Sequence, residues 1–289
     1  MNTELNKKFF SYVLPSILAF ALSGVYTIVD GFFIGQSLGD TGLTAITLGY
    51  PISALVGAIG TGLGLSGAIR FTILSAQGEA KKRQECFSGT MLLMLVVAGL
   101  LTAILFAFAE PILYLLGARG DMLNLCAEYA RVIALGAVFQ LLATGFVPFI
   151  RNMGGATVAM MAMVLGFVTN IVLDYAFVWV LSWGMAGAAW ATVLAQAISA
   201  ALCIVFALKR FTILHLSARE WRFSAKAAWR HLKVGFPMGF QMSVMCIGQL
   251  AMQAAVNRIG TSAIAGYTAA NKVDQLSVLV DNAVGIGIA

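Results

Sequence analysis

Eight stretches of this chain are apolar over lengths that a soluble fold has no use for: 9–38, 43–69, 86–109, 123–149, 156–181, 186–208, 234–257 and 263–289. About 20 consecutive apolar residues in a helix cross a hydrocarbon core of ~30 Å. Inside lipid every backbone polar group must be satisfied by the chain itself, which leaves only helices or closed barrels. These stretches are continuous and rich in Gly and Ala, unlike the alternating ~10-residue strands of an outer-membrane barrel. Charged residues are 10% of the 289, against about 25% in soluble domains. The fold class is therefore an all-α polytopic membrane protein.

A net charge of +6 invites a nucleic-acid reading, but the positions of the basic residues reject it. Lys7, Lys8, Lys81, Lys82, Arg83 and Arg151 fall before span 1 or in alternate loops on one side. Lys209, Arg210, Arg219, Arg222, Lys226, Arg230 and Lys233 fall in the long loop on that same side. The opposite loops hold only Arg119 and Arg258, with Arg70, Arg131 and Lys272 left inside or at the ends of spans. By the positive-inside rule the N-terminus is cytoplasmic and the protein sits in the cytoplasmic (inner or plasma) membrane. The first apolar segment is too long for a signal h-region, so it is expected to remain as a span. Cys86, Cys126, Cys203 and Cys246 are scattered one per helix, giving neither a disulfide framework nor a metal site.

The longest polar stretch, 209–233, divides the chain. Its REWRFSAKAAWRHLK segment interleaves basic residues with Trp221, Phe223 and Trp229, as an interfacial helix does. Across it the sequence weakly repeats. Pro15 answers Pro237, and Leu38-Gly39 answers Ile259-Gly260. Six spans lie within that offset, and an even number returns the chain to the same side, so the copies are parallel repeats. The expected domains are a six-helix N-lobe over 1–208, a cytoplasmic linker over 209–233, and the first two helices of a second lobe over 234–289, C-terminally incomplete.

Three polar groups lie where lipid should forbid them: Asp30 in span 1, and Asn170 with Asp174 in span 5. An ionisable group at mid-membrane costs about 2.5–3.5 kcal/mol on insertion scales and marks an ion or substrate path. Asn170 and Asp174 are four apart, on one helix face. Asp30 precedes the external end of its span, at Leu38, by eight residues, and Asp174 precedes Leu181 by seven. At 1.5 Å per residue both carboxylates sit about 10–12 Å below the same surface. Equal depth lets them share one cavity. Crowded, desolvated carboxylates can hold a proton, and an amide oxygen with two carboxylates equally suits Na⁺. H⁺ and Na⁺ both stay open as the coupling ion, and no other cofactor or metal is expected.

Other features read as structure. Pro15 removes a backbone bond and should kink span 1. Gly62-Leu63-Gly64-Leu65-Ser66-Gly67 spells a dinucleotide fingerprint but sits inside an apolar helix without a preceding strand, so it is a close-packing face. No Walker A motif occurs, so energy would come from an ion gradient. Lys272, Asp274 and Asp281 in span 8 are possible second-lobe polar residues. Glu128 and Arg131 are spaced as a local ion pair. A membrane-embedded aspartyl protease would need a Gly-x-Gly-Asp context, and the aspartates here stand in VDG and LDY. The chain is not expected to be an enzyme.

YTIVDGFFIGQSLG around Asp30, fifteen residues after Pro15, with FIRNMGG, NIVLDYAFV and WGMAGAAWATVLAQ, resembles the multidrug and toxic compound extrusion (MATE) family. The Asp/Asn/Asp set resembles its DinF-like branch. One departure is Met153-Gly154-Gly155, where the family's Gly-Asn-Pro usually follows the helix-4 arginine. The resemblance implies a twelve-helix, two-lobe antiporter that exports lipophilic, often cationic organic compounds in exchange for H⁺ or Na⁺. Asp30, Asn170 and Asp174 would form its coupling-ion site and Pro15 its helix-1 hinge. Its partners would be the lipid bilayer and small organic cations, with no nucleic acid, and a full-length chain would be monomeric. Two alternatives remain. One is a lipid-linked oligosaccharide flippase of the same superfamily, which would line its cavity with Arg or Lys. The other is a non-transporting membrane fragment.

Overall fold

The structure is a computed structural model that describes residues 3–210 and isolated helical positions between 229 and 255. Most of the linker, the spans expected over 234–289, and Lys272, Asp274 and Asp281 lie outside the described residues. What is described is helical throughout, built from long apolar segments. A helical run Thr3–Ala76 is broken at Gly39, which takes φ 62°, ψ −156°, a backbone state that glycine alone enters freely. The break yields α1 (Val13–Gly39) and α2 (Gly42–Ala76). Next come α3 (Ala80–Ala107), the short α4 (Ala109–Leu115), α5 (Asp121–Leu135), α6 (Ala137–Asn152), α7 (Ala156–Asp174) and α8 (Gly184–Arg210). Five of these segments are long and apolar enough to span a membrane, and the bent pair α5–α6 supplies a sixth span.

Two departures from the sequence reading matter for the site. The span expected as one helix over 123–149 is two, bent by 56° at Gly136. There a Val193 methyl of α8 occupies the space a Cβ would need. The second half also runs on to Asn152, so Arg151 lies within α6 and is buried. The sequence reading had assigned that residue to a loop.

Lipid offers no hydrophobic drive for helix association, so close backbone approach and interhelical hydrogen bonds hold such bundles together. Both are present. A Cβ on Gly64 of α2 would fall on the backbone of Gly145 in α6, and one on Gly67 would meet Thr90 at 2.6 Å and Phe149 at 2.9 Å. The glycine string rejected as a nucleotide motif is thus a helix-packing seam. Near its end Phe149 meets the rings of Phe87 and Phe71, with centroids 5.5 and 5.8 Å apart. Gln140 of α6 donates to the Ser53 carbonyl of α2 at 2.9 Å, and Thr102 of α3 donates to the Ala134 carbonyl of α5 at 2.9 Å. Outward-facing Leu14, Val25, Ile28 and Val172 are exposed, with Ile28 at 73%, as lipid-facing positions should be. Arg131 pairs with Glu110 at 2.7 Å rather than with Glu128.

Candidate functional site

Helices α1 and α7 meet along a face where the Tyr26 ring stacks on Phe167, centroids 5.1 Å apart. One turn beyond Tyr26 on α1 stands Asp30, and one turn beyond Phe167 on α7 begins the run from Asn170 to Asp174. The shared depth deduced from sequence becomes contact: the carboxyls of Asp30 and Asp174 are hydrogen-bonding neighbours. Asp174 and Asn170 are buried, at 0% and 2% exposure, and Asp30 is half-buried.

The Asn170 amide connects this pair to α8. With its nitrogen facing the carboxylate, Nδ2 donates to Asp174 Oδ2 at 2.8 Å and Oδ1 accepts from the Thr192 backbone N–H at 3.1 Å. The opposite orientation leaves Nδ2 only Thr192 Oγ1, at 3.4 Å, so the first is the one that satisfies both ends. Asp174 Oδ1 is buried without a hydrogen-bond donor. Two carboxyl groups can bond only when a proton lies between them.

Three members of the cluster carried no sequence signal strong enough to single them out. Tyr26 is hydrogen-bonded to Thr192. Thr192 in turn donates to the Ala188 carbonyl at 3.1 Å. Tyr129 of α5 feels both aspartates, and its ring occupies the notch at Gly49 of α2, where a Cβ would approach Tyr129 Cδ1 to 2.9 Å. Tyrosine and threonine are ordinary residues in spans. Only the i, i+4 spacing of Tyr26 and Asp30 could have hinted at a shared face. Directly past Asp174 the helix widens into a π segment, Tyr175–Val180, a local irregularity that recurs at functional sites. Pro15 is buried within α1.

Beside the cluster opens a cavity of about 480 Å³ between α1, α2, α6, α7 and α8. Tyr26, Asn170 and Thr192 form one end of its lining, and Arg151, Asn152 and Met163 the other, with Phe167, Leu65 and Val147 between. The aspartates stand behind the first group rather than in the wall. Among the described residues of the lining, Arg151 is the charged one. Among the described residues no group of three His, Cys, Asp or Glu side chains is placed to hold a metal ion.

The family model described as MatE matches residues 15–176, more than half of the chain. The multidrug export protein MepA of Staphylococcus saprophyticus is 28% identical over 271 residues, covering 93% of this chain and 60% of that protein. MepA of Staphylococcus haemolyticus is 24% identical over 278 residues, covering 96% and 62%. A MOP superfamily transporter from Pyrococcus furiosus superposes with a TM-score of 0.84 at 26% identity, covering 97% of this chain and 62% of that one. A MATE protein solved in a bent conformation superposes equally well, at 0.84 and 25% identity over 98% and 63%. The chain spans less than two thirds of the length of these relatives. Apolar spans, a buried Asp/Asn/Asp cluster and the match over 15–176 agree, and the chain belongs to the MatE family of membrane transporters.

Proposed function

We propose that this chain forms the first lobe, and the beginning of the second, of an antiporter that exports lipophilic organic compounds in exchange for protons. The observation that carries the reading is the Asp30–Asp174 pair, two neighbouring carboxyls on different helices, one of which has a buried oxygen without a donor. A proton completes that arrangement. When it leaves, two negative charges face each other in a low-dielectric site, and the local packing of α1 against α7 must change. An ion drives transport only if it binds two conformations with different affinity, and a pair on two different helices supplies such a difference. Na⁺ fits less well, because the Asn170 side chain turns its NH₂ rather than its oxygen toward Asp174.

Pro15 would be the hinge through which loading of Asp30 alters α1. MATE proteins similar to this chain have been solved in a bent and in a straight conformation, and two conformations are what a hinge requires. Cationic groups of a substrate would be drawn to the deprotonated pair. The bilayer is the working environment, with the N-terminus cytoplasmic by the charge rule, and a complete two-lobe protein would act as a monomer.

One observation favours the flippase reading. Arg151, assigned to a loop from sequence, is a cation in the cavity wall. A single guanidinium is a weak match for a pyrophosphate, so export remains the conclusion. The test is energised efflux of a fluorescent organic cation from cells expressing the protein, beside Asp30→Asn. Efflux above the empty-vector level, abolished in the variant and indifferent to external Na⁺, is expected. Leakage at the vector level in both would sink the transport reading, and efflux that requires Na⁺ would replace the proton.

A further inference from the structure

Arg151 is 8% exposed, sits in a wall of the cavity, and has no carboxylate within ion-pair distance among the described residues. Its Nε is buried without an acceptor, and its Nη2 reaches only the Met163 sulfur, at 3.8 Å. A thioether is a feeble acceptor. An unpaired charge out of water is costly, and guanidinium is the side chain whose fork matches carboxylate and phosphate oxygens in pairs. The cavity around it is mostly apolar, with Phe167, Leu65, Val147 and Met163 for an organic body. Asn152 and Gln196 line it as well and can add donors to a bound oxyanion.

From these residues we infer that Arg151 is the anion-binding pole of this cavity and takes the oxyanion, a carboxylate or a phosphate, of an amphipathic ligand. The inference rests on the cavity being the substrate chamber of the proposed exporter, and it adds a substrate class to that reading. The Arg151 guanidinium lies at the level of Met163, and Asn170 is seven residues further along the same helix. Two turns of helix put Asn170 about 10 Å beyond that level, and Asp174 stands one turn further, behind it. A compound carrying an oxyanion at one end and a basic group about 10–16 Å away would reach toward both, so zwitterionic amphiphiles are the favoured class.

The test needs binding alone, so it stands or falls apart from transport. Rhodamine 110 and rhodamine 123 differ only in a free carboxylate against its methyl ester. Fluorescence polarisation of each dye is measured with the purified protein in phosphatidylcholine nanodiscs, for wild type, Arg151→Gln and Arg151→Lys. Wild type should bind rhodamine 110 about tenfold more tightly than rhodamine 123. Arg151→Gln should erase that preference by weakening rhodamine 110 without weakening rhodamine 123, and retained binding of the ester also shows that the variant folds. Arg151→Lys should keep part of it. A second arm in nanodiscs of phosphatidylglycerol, whose phosphate has no choline ammonium beside it to neutralise it, separates the sources of the oxyanion. A preference lost there means that the lipid phosphate takes the Arg151 pole, and one retained means that soluble ligands do. Equal affinity for the two dyes in wild-type phosphatidylcholine discs, a glutamine variant that weakens both alike, or no binding of either dye overturns the inference.

Discussion

The two charged poles of the cavity solve the same problem in opposite ways. At one end Asp30 and Asp174 are neighbours, Asp174 is bonded by the Asn170 amide, and Thr192, Tyr26 and Tyr129 complete the cluster around them. At the other, Arg151 is nearly as deeply buried and has a sulfur atom for company. The acidic end is internally satisfied except for one oxygen, and that shortfall has the size of a proton. The basic end is unsatisfied on a larger scale, and the empty volume beside it has the size of an organic molecule. What each site lacks points to what it takes.

Both poles depend on α2 lying close against α6, and the widest break in the comparison is therefore at the seam. Gly64→Val drives a branched side chain into the Gly145 backbone, where neither helix can yield without parting. Overpacking of this kind costs about 3 kcal/mol or more when backbone is the obstacle. The expected result is a sharp fall in folded yield and in the thermal midpoint in detergent, with both poles lost together. A variant of wild-type stability would mean that α2 and α6 are not in contact there.

The next change separates the poles. Asn170→Leu leaves Asp174 Oδ2 without its donor and the Thr192 N–H without its acceptor, at an expected cost of about 1–3 kcal/mol. Thermal unfolding should show it, and rhodamine 110 should still distinguish the carboxylate from the ester. A midpoint equal to wild type would argue that the amide does not bridge α7 and α8.

The smallest effect belongs to Arg151→Met. Removing a charge that makes no ion pair takes away no partner's satisfaction and can stabilise the fold, because the desolvation cost disappears with it. The midpoint should stay within about 1 kcal/mol of wild type or rise. A loss as large as that of Asn170→Leu would reveal a hidden partner for Arg151, and the contrast between the poles would collapse.

The two poles were also unequally legible. Asp30, Asn170 and Asp174 stand in the middle of apolar runs, where any polar side chain is conspicuous, and their depth can be counted along the helix. Their cluster companions are Tyr26, Tyr129 and Thr192, residue types that spans contain for many reasons, so no count isolates them. Arg151 was misplaced for a different cause. The apolar run ends near 149, and a basic residue just beyond it belongs to the cytoplasmic loop by composition. The structure bends that span at Gly136 and carries its second half to Asn152, which takes the arginine inward. Helical spacing had favoured Glu128 as the partner of Arg131, and the fold instead brings Glu110 of α4 to it. The glycine string, by contrast, was read correctly from its setting, because a phosphate-binding loop needs a strand and an aqueous edge that an apolar helix lacks.

Sequence alone determined that this chain crosses a membrane, which residues begin and end most of its spans, and which three side chains must be hidden from lipid. Those follow from transfer free energy, which accumulates residue by residue along one helix and needs no knowledge of its neighbours. Tertiary structure decided that Asp30 meets Asp174, that an amide ties Asp174 to α8, and that a guanidinium faces a cavity with no carboxylate at ion-pair distance among the described residues. Distances between side chains on different helices depend on how glycine seams and bends set the helices against one another, and packing is a property of pairs that no single helix contains.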